Sequence, residues 1–263
     1  MDLSKYMARE GELPLDNIVT DGGFFKIFRN VTVIGDSLAS GEFESCNEKD
    51  IMGWHDMFEY SWGQFMAREA GCTVQNFSRG GMTAKEYVES YARIKGWWDC
   101  YDNTQAYIIA LGVNDFRASY ELGTIENAKD KTLTATFATY LAYIIERYKA
   151  RQPKAKFFLM TTPRYGSDTE EKAELRRKHQ KLLYDFAEYY DNTYVLDFLK
   201  YGPIHDDEFK KQFNLGGHLN PMGYALAAKM VMSYIDYIIR NNPEDFAQVG
   251  FIGKPYYNSK CKW

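Results

Sequence analysis

An α/β fold built on a doubly wound, five-stranded parallel sheet is predicted from three observations. Apolar runs of strand length alternate with segments of helical spacing along the whole chain. The first of these runs, Val31-Thr-Val-Ile34, is β-branched and stops at Gly35, as a buried strand running into a tight turn does. No internal repeat, low-complexity tract or Pro/Ser-rich linker divides the 263 residues. The expectation is therefore one domain over 1–263, with a core at about 25–242, an irregular N-terminal extension and a C-terminal tail.

The elements follow in order. Residues 31–34 form the first strand. Residues 57–70 have helical spacing, and Gly71 stands at the position after the helix where glycine is favoured. Residues 73–77 read as a second strand and 84–94 as a helix capped by Thr83. Ala106-Tyr-Ile-Ile-Ala110 is a buried strand ended by Leu111-Gly112. Residues 116–130 read as a polar loop. A long helix over 132–150 is closed by Pro153, and 156–160 is another buried strand. A helix over 170–190, a strand over 193–196 and a last helix opening at Asn220-Pro221 complete the alternation.

Bulk properties exclude several function classes. The net charge is −4 and no Lys/Arg block is present, so the basic face that nucleic-acid binding requires is missing. The stretch 172–181 carries both signs and reads as a solvated helix face. Residues 1–13 lack the layout of a signal peptide. The longest apolar run, 225–239, is interrupted by Lys229 and Asp236, so no stable membrane insertion is expected. Cys46, Cys72, Cys100 and Cys261 are widely spaced without a CxxC pair, which argues against a disulfide framework or zinc site. A reduced, cytoplasmic protein without cofactor or metal is expected, its oligomeric state open. The 21 Tyr, 17 Phe and 5 Trp suit core packing first and a sugar-stacking surface second.

Chemistry concentrates where strands end. Ligand sites of open α/β sheets lie in the crevice beyond the carboxyl ends of the strands. Ser37 sits on the turn after the first strand, where a nucleophile would be placed. After the second strand comes Asn76-Phe-Ser-Arg-Gly-Gly-Met-Thr83, in which Gly80 and Gly81 let backbone N–H groups point outward. After the third comes Leu111-Gly-Val-Asn-Asp115, where Asn114 offers a side-chain amide. A flavodoxin-type strand order would bring the loops carrying Ser37 and Asn114 to one crevice. Acyl transfer also needs a base. His55 lies in a Trp-rich stretch, His179 on a charged helix, and His205 precedes Asp206-Asp207 without a metal-ligand spacing. His218, after Gly216-Gly217 and just before a helix start, is the best candidate.

Taken together, Gly35-Asp36-Ser37-Leu38, the Gly81 turn, Gly112-Val-Asn114-Asp115 and His218-Leu-Asn-Pro-Met-Gly-Tyr224 resemble, in order and spacing, the four blocks of the GDSL (SGNH) hydrolases. The resemblance covers roughly residues 31–239. It implies a three-layer α/β/α sandwich, flavodoxin-like in its sheet, and ester hydrolysis through an acyl-serine. By the same resemblance Ser37 is nucleophile and His218 general base then acid. The Ser37 and Gly81 N–H groups and the Asn114 amide form the oxyanion hole, and Asp36 braces the turn.

One departure stands out. The family's usual aspartate, three residues before the histidine, is Leu215 in this chain. Three readings remain open. A backbone carbonyl orients His218 in a Ser–His dyad; or Asp206, Asp207 or Asp197 reaches its Nδ1; or the site is catalytically weak and serves binding. The sequence as a whole reads as a serine esterase acting on a small acyl ester, with an acetyl ester of a carbohydrate preferred. Alternatives are a binding module, or a lysophospholipase or thioesterase using the same residues. Residues 119–130 and the Trp54/Trp62 region are expected pocket walls.

Overall fold

A computed structural model of the chain describes residues 3–99, 103–130, 135–256, 258 and 260. The sheet consists of β1 (Asn30–Gly35), β4 (Thr73–Ser78), β5 (Ala106–Ala110), β6 (Lys156–Met160) and β8 (Thr193–Leu196), all parallel, in the order β4-β1-β5-β6-β8. β1 is flanked by β4 and β5, so the winding reverses there and a crevice opens at its carboxyl end. This is the predicted flavodoxin-type order. Strand side chains alternate between two apolar layers: Val31, Val33, Ile108, Phe158 and Leu196 face one way, and Ile34, Tyr107, Ile109, Phe157, Leu159 and Val195 the other.

Helices cover both faces and complete the three-layer α/β/α sandwich. The nucleophile turn continues into the one-turn α1 (Ser37–Ser40). α2 (Trp62–Ala70) packs on the first face with α11 (Pro221–Asn241), while α12 (Pro243–Phe246) adds Phe246 to that layer. On the second face lie α3 (Ala84–Glu86) and α4 (Ala92–Ile94), joined by a π-helical segment over Tyr87–Tyr91. Alongside them run α7 (Phe137–Arg151) and α8 (Glu170–Tyr189), with α5 (Val113–Arg117) and α6 (Ile125–Lys129) above. Near the sheet edge that ends in β8 sit α9 (Phe198–Tyr201) and α10 (Asp207–Phe213). The predicted caps are observed: Thr83 Oγ1 accepts from the Glu86 N–H, and Asn220 Oδ1 from that of Gly223.

Three short two-stranded pairs stand outside the main sheet. β2 (Glu42–Cys46) and β3 (Met52–Asp56) form an antiparallel hairpin between α1 and α2. β7 (Arg164–Tyr165) runs parallel to β9 (Ile204–His205), and β10 (Asn214–Leu215) antiparallel to β11 (His218–Leu219).

The differences from expectation are local. The helix expected from residue 57 starts at Trp62, because Ser61 caps it by accepting from Gln64 N–H, and Phe58–Tyr60 are a 3₁₀ turn. Residues 116–130 are not a single loop; they hold the end of α5 and all of α6, which Thr124 opens with a capping box. The hairpin and α10 are not predicted by the alternation. The helix expected from 132 begins at Phe137, with 131–134 outside the described residues. Cys100, Cys261, Tyr257 and Trp263 also lie outside them, whereas Cys46 and Cys72 are free thiols.

Candidate active site

Ser37 lies two residues past the end of β1 and opens α1, which fixes its hydroxyl at the carboxyl end of the sheet. The turn is tight. A Cβ on Gly35 would lie 2.5 Å from the Ala39 Cβ and 3.0 Å from the Ala110 carbonyl oxygen, so only glycine lets β1 pass this point. Asp36 holds the turn, its Oδ1 accepting from Leu38 N–H at 3.0 Å. Its carboxyl is 2% exposed, and burial, with smaller contributions from the charges of Asp115 and Glu42, pushes its pKa up to about 7.

Two further loops reach the same crevice. After β4, Gly81 adopts φ of 73°, and its N–H and that of Ser37 donate to no protein acceptor among the described residues. After β5, Asn114 donates from Nδ2 to the Met82 carbonyl at 3.3 Å. That bond aims the amide and leaves its second N–H free for a ligand. Asp115 ties the two loops together: its Oδ1 accepts from Ala84 N–H at 3.0 Å, and burial raises this carboxyl to about 7 as well.

His218 opens β11, facing the β2–β3 hairpin. Glu44 Oε1 lies 2.7 Å from His218 Nδ1 and also accepts from the Gly217 N–H at 2.9 Å. Glu42 Oε1 lies 3.1 Å from His218 Nε2. Alternate residues of a strand share a face, which is how both carboxylates of β2 come to bracket one ring. Burial favours the protonated carboxyl of Glu42 and the charge of His218 opposes this, with a net rise in its pKa. Among the described residues no hydrogen bond joins Ser37 to His218; the two line one cleft of about 560 Å³ together with Asn114, Glu44, Trp54 and Phe116. Uncomplexed sites often have such loose catalytic contacts.

The partner of His218 Nδ1 is where the structure departs from the sequence reading. Leu215, at the family's usual aspartate position, is 51% exposed and cross-strand from His218. Asp206 caps α10 through Phe209 N–H, and Asp207 is exposed at the start of that helix. Asp197 accepts from Gln180 Nε2, the Tyr184 hydroxyl and Lys200 N–H. None of the three is bonded to His218, and neither is a backbone carbonyl; Glu44, 174 positions away, takes that place. The usable signal was the Glu-x-Glu alternation at 42–44 in a strand soon after the nucleophile.

The other histidines lie elsewhere. His179 is fully buried between Phe116 and Phe137, where desolvation lowers its pKa to about 3. It is not on the solvated face its charged neighbours suggested. His205 stacks on Phe209, and His55 pairs with the Ser45 hydroxyl in the hairpin. Of the expected pocket walls, Trp54 lines the cleft, whereas residues 119–130 do not. Trp62 is buried and lines a separate apolar pocket of about 80 Å³ behind Leu38, with Met160 and Phe198.

Solved structures with this fold include a family two carbohydrate esterase from Clostridium thermocellum in complex with cellohexaose. It is 18% identical, with a TM-score of 0.55 over 82% of this chain and 65% of that one. A family 3 carbohydrate esterase from the same organism is 14% identical at a TM-score of 0.51, covering 81% and 98% of the two chains. A member of the lipolytic protein G-D-S-L family from Veillonella parvula is 17% identical at 0.51, covering 78% and 96%. No curated protein sequence is recognisably similar. Residues 31–231, three quarters of the chain and all four strand-end blocks, match the GDSL-like lipase/acylhydrolase model, and the chain therefore belongs to that family of ester hydrolases.

Proposed function

We propose that the protein is a serine esterase that cleaves a small acyl ester through an acyl-serine intermediate, with Ser37, His218 and Glu44 as its triad. The observation that carries this is the 2.7 Å contact of Glu44 with His218 Nδ1 on a cleft that Ser37 and Asn114 share. A carboxylate on Nδ1 fixes the tautomer whose Nε2 accepts a proton and stabilises the imidazolium that results.

In the proposed cycle the substrate displaces the Glu42 contact, and Nε2 turns to Ser37. The Ser37 Oγ attacks the ester carbonyl while its proton passes to Nε2. The Ser37 and Gly81 N–H groups and the Asn114 amide hold the oxyanion. The intermediate collapses, and the leaving alkoxide takes the proton from Nε2. A water then attacks the acyl-serine, giving one proton to Nε2; the second intermediate collapses to the carboxylic acid as the Ser37 Oγ leaves and takes that proton back from Nε2.

An acetyl ester of a carbohydrate is the preferred substrate. In support, Trp54 is 60% exposed on the cleft wall, where an indole face can stack on a sugar ring, and two of the fold relatives are carbohydrate esterases. Leu38 separates the cleft from the apolar pocket, which leaves little room for a long acyl chain beside Ser37. The reading treats residues 1–263 as one such domain in a reducing, cytoplasmic setting, with Cys46 and Cys72 both free in support. Among the described residues no helix is long and apolar enough to cross a membrane.

The test is steady-state hydrolysis of p-nitrophenyl acetate, butyrate and octanoate by the protein and by Ser37→Ala and His218→Ala. The expected result is turnover highest on acetate and lost by several orders of magnitude in both variants. Turnover equal to that of Ser37→Ala on every ester would sink the esterase reading in favour of a binding module, and octanoate as the best substrate would overturn the short-acyl assignment.

A further inference from the structure

Three cationic side chains line the cleft beyond the proposed triad: Arg117, Lys172 and Arg176. Arg117 ends α5 three residues after Asn114, so one helical turn sets it on the face that carries the amide. Lys172 and Arg176 are four apart on α8 and share a face, with Leu175 between them.

Two of these charges, Arg117 and Lys172, are not balanced by the protein. Arg176 forks onto Asp168, at 2.7 Å from Nε and 3.2 Å from Nη2, and its guanidinium lies over the Tyr165 ring. Its side chain is only 11% exposed, yet Nη1 is buried with no acceptor among the described residues. A buried donor without a partner is costly and marks a place where a ligand acceptor fits. Arg117 and Lys172 are exposed and form no ion pair among the described residues. The carboxylates on the cleft are Glu44 and Asp168, engaged by His218 and Arg176 respectively. A chain of net charge −4 thus keeps two uncompensated cations on the cleft wall. In a cleft such charges concentrate ligands of opposite sign.

We propose that the substrate of this site carries, besides the ester that Ser37 attacks, an anionic oxygen group: a carboxylate or a phosphate. Arg117 and Lys172, the two exposed cations, hold its charge. The inference rests on the esterase reading and narrows it to esters on acidic molecules, such as acetylated uronic acids or sugar phosphates.

The experiment compares acetate release from three acetylated probes: methyl glucoside, glucuronic acid and glucose 6-phosphate. The quantity read is the ratio of kcat/KM for each anionic probe to that for the neutral one, which cancels any loss of folded protein. About a tenfold or greater preference for one anionic probe is expected at low salt, carried in KM and diminishing at high salt. Arg117→Ala combined with Lys172→Ala brings the ratio to near 1, and whichever anionic probe leads identifies carboxylate or phosphate. A ratio near 1 in the unmodified protein, or a preference that survives the double substitution, overturns the proposal. Failure to hydrolyse even p-nitrophenyl acetate is the distinct result that removes the esterase reading and this inference with it.

Discussion

At the scale of single residues, the site's chemistry turns on which carboxylate faces which nitrogen of His218. Glu44→Ala is expected to lower kcat by about 10²–10⁴ with little change in KM, since an orienting acid acts mainly in the transition state. Steady-state kinetics on p-nitrophenyl acetate check this, and an effect below tenfold would remove Glu44 from the triad. Asn114→Ala is expected to cost about 10²–10³ in kcat, the usual loss for one oxyanion donor. Glu42 acts on the opposite side of the ring. Its Oε1, 3.1 Å from Nε2, occupies the nitrogen that has to face Ser37. Glu42→Ala, which removes that contact, should therefore leave kcat on p-nitrophenyl acetate unchanged or raised, whereas a loss of about a hundredfold or more would contradict that role. That Ser37, Asn114 and His218 share one cleft was legible from their turn-rich settings taken together with the four blocks that resemble the family. Glu44 was not, because its role depends on a contact across 174 positions and nothing in its neighbours announces it.

At the scale of elements, the long strands and helices were legible and the short ones were not. Strands 106–110, 156–160 and 193–196 are apolar runs buried on both faces, so their limits show in composition alone. The β2–β3 hairpin has no such signature: Glu42, Glu44, His55 and Asp56 are polar, and Trp54 is exposed. It is held by tertiary contacts instead. The Tyr224 hydroxyl on α11 donates to the Glu42 carbonyl at 2.8 Å, and its ring meets that of Phe43. Asp56 accepts from the Ser40 hydroxyl and from Gly80 N–H at 3.0 Å. Tyr224→Phe keeps the ring and loses the bond, so a stability decrease of about 0.5–1.5 kcal/mol is expected in urea unfolding. Helix α6 is not legible in the sequence for another reason: its five residues are too few to show a period against the polar segment around it.

For the molecule as a whole, two buried carboxyls tie its stability to pH. Asp36 and Asp115 titrate near 7 in the fold against 3.8 for an ordinary aspartate, so the folded state binds extra protons between those values. Their contribution is full at low pH and declines as pH rises towards 7, the reverse of the usual salt-bridged aspartate. Between pH 5 and 8 the loss should be on the order of 5 kcal/mol, seen as a falling urea midpoint that the Asp36→Asn, Asp115→Asn double variant flattens. Elsewhere, Arg240 is buried between Asp236 and Glu12 and pins the N-terminal segment to α11; the ion pairs hold the Glu12 carboxyl down to about 2. Residues of that segment give little sign of this in the sequence, because its fixation depends on one buried arginine more than 200 positions away. The β2–β3 ribbon stands in contrast to this braced frame. It is two strands wide and largely solvent-exposed, and a ribbon of that width is among the least stable units a fold can contain. Since it carries Glu44, warming should detach the acid from the imidazole while the sheet and its helices are still intact. The enzyme would then fall silent several degrees below its melting point and recover on cooling, its heat sensitivity set by fifteen residues and not by its core.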